Sequence, residues 1–409
     1  MKNAAPKAIA VTHVIEDVMR RERGRLLAGL IARLGDFQLA EDALQEASIS
    51  ALKLWGRAGV PHDPVAWLMK VGLNKGIDQV RARQREARNA DDLADVLPDF
   101  ARDDSPDAIP DERLRLIFTC CHPALEEKSR VALTLRSVCN LSTREIAAAF
   151  LDTEPAMGQR LSRAKAKLRS KGIGYSVPDP ELWPDRLGTV LSTLYLIFTT
   201  GYLTEDAGPR DLCREGIFLS RLLHKLRPNE PEIEGALALM LLTEARRPAR
   251  IDGDGASVPV DKQSPALWIG AHIREAQAVL ASAMARRQPG PFQIKAAIAD
   301  CHMMRPGPDW AQMSLLYGAL WGFEPTPVVA LNWAVVLAET GHVAIALQQL
   351  DSLERELDQF QPWHAARGHL LHKLGHNAEA ADAYRRAILT APTEASRRFL
   401  EVRLRNVAE

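Results

Sequence analysis

The sequence is poor in cysteine, with five thiols in 409 residues, at Cys120, Cys121, Cys139, Cys213 and Cys301. An odd number without framework spacing excludes a disulfide-stapled secreted scaffold and fits a reducing compartment, so a cytoplasmic location is expected. Net charge is also missing, since 52 lysines and arginines meet 52 aspartates and glutamates. A global attraction to nucleic acid or to a membrane surface is thereby excluded, and any such signal has to be local. Long apolar runs are absent too. The charge-free stretch at 187–204, LGTVLSTLYLIFTTGYLT, is diluted by five threonines, one serine, two glycines and two tyrosines. It lies near the lower length limit for a spanning helix and reads as a buried core helix, with no membrane span expected. The opening MKNAAPKAIAVTHVIEDVMRR meets charged residues before any apolar segment long enough for a signal peptide.

Chemical motifs are equally sparse. There is no phosphate-cradling Gly-rich loop and no nucleophile elbow, so an enzyme reading has no anchor. Cys120-Cys121-His122 and Cys301-His302 lack the separated ligand pairs that a tetrahedral metal site needs. Neither metal nor cofactor is expected. Alternating strand patterns joined by hairpin turns are not found, whereas apolar residues at helical spacing run through the chain. The fold class expected is all-α.

One segment breaks the helical pattern. Residues 91–112 (DDLADVLPDFARDDSPDAIPDE) hold nine acids, one base and three prolines, the composition of a linker. Basic helical blocks lie on either side, at 70–88 and 160–171. A second break at 171–180, with Gly172, Gly174, Pro178 and Pro180, opens a less basic C-terminal module in which 251–265 reads as a polar loop. That module repeats at a lag of 34 residues: Leu337 with Leu371, Gly341 with Gly375, Ala346 with Ala380, Leu350 with Tyr384. This is the tetratricopeptide period, in which paired helices approach through small residues and stack on neighbouring pairs. The second copy also carries Gly368, Ala387 and Pro392, where the first has Ala334, Leu353 and Asp358. A more degenerate unit is expected around 293–324.

The stretch LSTREIAAAFLDTEPAMGQRLSRAKAKLRSK at 141–171 specifies two helices. Ser142 and Glu145 are spaced for a capping box and Leu141 for a staple onto Ile146. Thr153 can cap the second helix, whose first turn tolerates Pro155. The turn glycine common in helix-turn-helix units is replaced by Leu151-Asp152-Thr153, which requires Asp152 to take the left-handed conformation. Met157, Leu161, Ala164 and Leu168 form one apolar stripe. From Arg160 to Lys171 there are six bases and no acid, suited to phosphate, while Gln159 and Arg163 can reach base edges. A solvated basic face on a structural helix is the bland alternative.

The block GDFQLAEDALQEASISALKLWGRAGVPHDPVAWLMKVGLNKGIDQVRARQR at 35–85 resembles region 2 of bacterial RNA polymerase sigma factors of the small extracytoplasmic-function class. The resemblance lies in Ala40-Glu41-Asp42-x-x-Gln45-Glu46, Ala66-Trp67-Leu68 and Asn74-x-x-x-Asp78-x-x-Arg81. Residues 111–171 then resemble region 4, and the order of the two motifs around an acidic linker strengthens both. DERLRLIFTCCHPAL, LYLIFTTGYLTEDAG, QPGPFQIKAAIADCH and the repeat-bearing tail look like a long sigma subgroup with an all-helical extension. The Thr199-Thr200-Gly201 run and the Gln263-Ser264-Pro265 loop depart from that subgroup's pattern.

The resemblance implies a division into region 2 (1–90), linker (91–110), region 4 (111–174) and helical extension (175–409, repeats at about 325–400). It implies no bond chemistry, with core RNA polymerase and promoter DNA as partners and a protein or peptide partner for the extension. Asp42, Gln45 and Glu46, at i, i+3 and i+4, would meet core polymerase. Strand opening at the minus-10 element would fall to Trp67, Lys70, Asn74, Lys75, Asp78, Arg81 and Arg83, with Trp67 favoured as a core anchor. The minus-35 element would be met by Arg144, Gln159, Arg160, Ser162, Arg163, Lys165 and Lys167. The linker would follow paths that RNA uses, or be a solvated tether. A polymerase-independent helix-turn-helix regulator with an interaction tail, and a tetratricopeptide adaptor with vestigial DNA elements, are the competing readings.

Overall fold

The computed structural model of the protein describes residues 4–88, 109–150, 152–171, 173, 175, 178, 181–203, 211–304 and 307–408. The acidic linker expected at 91–110 lies almost wholly outside the described residues. The chain divides into two compact units, residues 1–200 with 208–211 and residues 201–207 with 212–409.

In the first unit three helices, α1 (Ala4–Leu34), α2 (Phe37–Ala58) and α3 (Pro64–Arg88), pack on one another. Gly35 turns the chain at φ 70, and Asp36 then starts α2 by accepting a 2.8 Å hydrogen bond from the Leu39 amide. The buried stripe of α2 runs Leu39, Ala40, Ala43, Leu44, Ala47, Ala51 and Trp55, the period of one helix face. Helices α1 and α3 pack against α2, and their Leu26, Leu27, Leu30 and Leu68 are all fully buried. Each such leucine contributes about 1.5–3 kcal/mol relative to exposure.

Four shorter helices follow: α4 (Ile109–Cys120), α5 (Glu127–Ser137), α6 (Thr143–Ala149) and α7 (Glu154–Ser170). Helices α4 and α5 pack back onto α1. Gly24 permits this, because a Cβ there would lie 3.3 Å from the Val138 carbonyl oxygen. Of the stretch expected as a buried core helix at 187–204, residues 187–203 lie in α8 (Trp183–Leu203), and Thr204 lies outside the described residues. The Trp183 ring sits 4.9 Å from Phe118, and Arg186 donates to the Phe118 carbonyl at 2.9 Å. No helix is long and apolar enough to cross a membrane among the described residues.

The second unit contains α9 (Leu212–Leu226), α10 (Pro231–Ala245), α11 (Gly270–Ala285), α12 (Pro291–Cys301), α13 (Trp310–Phe323), α14 (Pro327–Glu339), α15 (Val343–Asp351), the one-turn α16 (Glu354–Leu357), α17 (Gln361–Lys373), α18 (Asn377–Leu389) and α19 (Glu394–Ala408). Helix α10 is apolar nearly all round and accordingly buried between α9, α11 and α12. The loop expected at 251–265 carries an isolated bridge between Ile251 and Ser257, the β pairing found among the described residues. It continues through short 3₁₀ turns at Val260–Lys262 and Pro265–Leu267.

The 34-residue lag corresponds to two helical hairpins, α14–α15 and α17–α18. Gly341 and Gly375 make the matching turns at φ 96 and 80, and Ala346 and Ala380 are both fully buried. Gly368 lets α17 approach α18, since a Cβ there would stand 3.0 Å from the Tyr384 ring. Helices α12 and α13 occupy the span where a degenerate unit is expected, with Ile294, Ile298, Met313 and Leu320 in one core cluster. Helix α19 adds Leu400 and Val407 to the cluster around Tyr384.

Candidate nucleic-acid interface

The helix pair α6–α7 is built by local chemistry. The Glu145 amide donates to Ser142 Oγ at 3.1 Å and the Ser142 amide donates to a Glu145 carboxylate oxygen at 2.6 Å, a complete capping box. Leu141 and Ile146 are both buried. Thr153 caps α7 by accepting from the Ala156 amide at 3.3 Å. The turn expected to rest on a left-handed Asp152 runs through Leu151, which lies outside the described residues. Asp152 engages its side chain, accepting from the Thr153 amide and from the Arg160 guanidinium, both at 2.8 Å, while its own amide donates to the Ala147 carbonyl at 2.9 Å. These hydrogen bonds hold its carboxyl below the usual range, the Thr153 amide contributing most. Among the described residues of this stretch Asn140 is left-handed, at φ 58, one step before Leu141.

Met157, Leu161, Ala164 and Leu168 are all buried, so the apolar stripe of α7 faces inward as its spacing requires. The basic residues do not share one face. Gln159, Arg163 and Lys167, spaced by four, are exposed and line a 310 Å³ cleft beside Glu126, just before α5, and Ser129 within it. Arg160 is drawn back onto Asp152. Ser162, Lys165 and Arg169 point instead toward α2 across a 690 Å³ cleft. Lys165 is paired with Glu41 and stands 5.8 Å from the centre of the Phe37 ring, and Arg169 pairs with Asp36 at 3.4 Å. Glu41 is buried and also accepts from Arg23 at 3.2 Å. Arg144, at the start of α6, is exposed.

On α3, Lys70, Asn74, Asp78 and Arg81 are exposed, and their spacings of four, four and three place them on one face. Trp67 is half-buried at the head of this stripe, its ring centre 5.3 Å from that of the buried Trp55 in an edge-on arrangement. It therefore anchors the helix and still presents one side to solvent. Lys75 leaves the stripe, turning toward α2 where Glu46 lies 3.7 Å away. Glu46 also accepts from Gln79 at 2.8 Å. The Arg83 side chain lies outside the described residues.

The three acidic and polar residues of α2 are likewise divided. Glu46 is engaged with α3, Asp42 accepts from Gln38 at 2.9 Å, and Gln45 is exposed. Asp42 and Gln45 line the cleft that faces α7. Sequence reasoning missed two neighbours of Gln45: Ile49 and Leu52 are 44 % and 46 % exposed and continue its face at i+4 and i+7. The signal was present, because both fall outside the buried stripe of α2. Cys120 and Cys121 are buried free thiols whose ionisation burial opposes.

Comparison with known proteins bears on each part. The sigma-70 region 2 family matches residues 18–86 and the sigma-70 region 4 family matches 115–168. A family of unknown function matches 186–284, and a tetratricopeptide repeat-like domain matches 324–409. An uncharacterized protein of Rhizobium meliloti (strain 1021) is 42 % identical over 398 residues, covering 94 % of each chain. The ECF RNA polymerase sigma factor SigG of Mycobacterium tuberculosis is 24 % identical over 257 residues, 57 % of this chain and 66 % of its own.

Proposed function

The chain belongs to the extracytoplasmic-function class of RNA polymerase sigma factors, with a C-terminal tetratricopeptide-like extension, and on that premise we propose that it binds core polymerase and directs it to promoters through two DNA surfaces. The observation that carries this reading is the presence in one unit of two exposed polar stripes on separate helices. Gln159, Arg163 and Lys167 on α7 suit major-groove contact at the minus-35 element: a glutamine and an arginine for base edges, a lysine for phosphate. On α3, Lys70 and Arg81 suit phosphate, while Trp67, Asn74 and Asp78 suit unstacked bases at the minus-10 element. Gln45, Ile49 and Leu52 form a mixed apolar and polar patch for core polymerase. Sigma factors act by binding and deforming DNA, so no catalytic residue is assigned.

The pairing of Lys165 with Glu41 and of Arg169 with Asp36 turns one flank of the reading helix toward the polymerase-binding helix. In the free protein both cations are partnered by carboxylates, Lys165 in a largely buried pair and Arg169 in an exposed one. Core binding along α2 would free them, which couples polymerase engagement to full DNA affinity. The extension is assigned a regulatory role in cis or toward a protein partner.

Copurification with core polymerase followed by footprinting with and without core tests the proposal. Protection that needs core supports a sigma factor. Full protection by the protein alone supports the polymerase-independent regulator instead.

A further inference from the structure

In the second unit the first helices of the two repeat hairpins, with the helix that follows them, line one cavity of about 400 Å³. Each helix gives it an apolar residue one turn before a polar one: Val335 then Glu339 on α14, Ala365 then His369 on α17, Phe399 then Arg403 on α19. Residues at i and i+4 lie along one helix face, so the same pattern on three helices sets an apolar stretch of wall beside a polar one. All six side chains belong to partly exposed residues, as the lining of a hollow rather than of a core requires. The buried Tyr384 ring borders the cavity as well, next to the close approach at Gly368.

The polar members are in contact with one another. Glu339 accepts from Lys373, one turn beyond His369, at 2.6 Å, and His369 Nε2 stands 3.4 Å from the same oxygen. Burial holds the His369 imidazole below its ordinary range, so at neutral pH it is an uncharged hydrogen-bonding group. Arg403 lies over the Phe399 ring, 5.2 Å from its centre. A cation over a ring face takes up no N–H donor in a hydrogen bond to oxygen, so the guanidinium fork keeps its capacity for a ligand. Among the described lining residues the cations are Lys262, Lys373 and Arg403 and the carboxylates Asp261 and Glu339. Lys262 pairs with Asp261 at 3.5 Å and Lys373 with Glu339, which leaves Arg403 as the cation the wall itself does not match.

The rest of the wall comes from outside the two hairpins: Pro259, Asp261 and Lys262 from the loop after α10, and Trp310 from the head of α13. The volume falls at the small end of the range for small-molecule pockets, about 300–1,000 Å³. We propose that this cavity binds a small organic acid, its carboxylate held by the fork of Arg403 beside His369 and its apolar body lying against Trp310, Val335 and Phe399. An arginine fork matches the two oxygens of a carboxylate through parallel hydrogen bonds, and the apolar stretch of wall rewards a ligand that brings apolar surface out of water. The site draws on both the segment matched by the family of unknown function and the tetratricopeptide-like segment. Occupancy therefore gives the extension a means of responding to a metabolite, and nothing in the site depends on whether the chain acts as a sigma factor.

The test is isothermal titration calorimetry of the full-length protein with sodium 3-phenylpropionate and sodium octanoate, each beside its uncharged amide, and with sodium acetate. Saturable binding of at least one of the two larger acids is expected, and none of acetate, which lacks the apolar body. The matching amide should bind about 10- to 100-fold more weakly, because it forfeits the charge-assisted hydrogen bonds. Arg403→Gln should weaken the acid by a similar factor, and Arg403→Lys, which keeps the charge without the fork, by less. Ala365→Leu narrows the apolar side and should weaken acid and amide alike. Arg397→Gln, an exposed cation of the same helix paired with Glu394, should bind as wild type does. The comparison of acid with amide uses the unaltered chain and so does not depend on any variant folding. No saturable binding of either larger acid, equal affinity for acid and amide, or undiminished affinity in a folded Arg403→Gln would overturn the proposal.

Discussion

Replacing each cation of α7 in turn separates reading from scaffolding. Arg163 is exposed, has no ion pair among the described residues and shares a cleft with Gln159. A bidentate contact of such an arginine to a base is worth about 1–3 kcal/mol, so Arg163→Ala should weaken holoenzyme binding to the preferred promoter by about 5- to 150-fold and flatten discrimination at one position. Lys167→Ala should weaken all sequences alike and lower the salt slope by about 0.9. Arg160 is committed to Asp152 at 2.8 Å, with side chains 29 % and 25 % exposed. Arg160→Ala should therefore lower stability by up to about 1 kcal/mol and change promoter affinity little. Fluorescence anisotropy of labelled promoter duplexes with reconstituted holoenzyme, over a series of salt concentrations, reads all three. An Arg163→Ala loss that is uniform across sequences, or an Arg160→Ala loss of equal size, would refute the division of the helix into faces.

Ser142→Ala removes the Oγ half of the capping box and should destabilise the first unit by about 1 kcal/mol, measured by urea unfolding; no change would mean that α6 is set by packing alone. Gly368→Val places a branched side chain against the Tyr384 ring, where a Cβ already stands at 3.0 Å. It should cost about 1–3 kcal/mol, and an unchanged melting point would contradict the close approach of α17 and α18. Burial, with help from Arg246, pushes His302 down to about 4 from 6.5. Because the unfolded chain then binds the extra proton, stability should be fully present above about pH 6.5 and decline as pH falls toward 4, by an amount on the order of 3 kcal/mol. Comparison with His302→Gln isolates this component; an identical acid limb in the variant would show that His302 is not its source.

What could be read from the sequence was what neighbours along the chain decide. The capping box at Ser142 and Glu145, the stripe Met157–Leu161–Ala164–Leu168 and the 34-residue lag each depend on spacings within a helix or between adjacent helices. Their partners lie within a few turns. At the turn, the Asp152 carboxylate accepts from both Thr153 and Arg160, and spacing along the chain does not announce the second of these contacts. Lys165 and Glu41 are 124 positions apart, and Lys75 meets Glu46 on a neighbouring helix. Such pairings follow from how helices are laid against one another, so periodicity placed these lysines with the exposed bases and tertiary packing removed them.

Run-off transcription with purified core, comparing full-length protein, the Arg163→Ala variant and core alone on one template set, measures the proposed gift of promoter specificity to core polymerase. Discrete promoter-dependent transcripts are expected with full-length protein, few with Arg163→Ala and none with core alone. Failure of the folded full-length protein to bind core or to direct any initiation would contradict it.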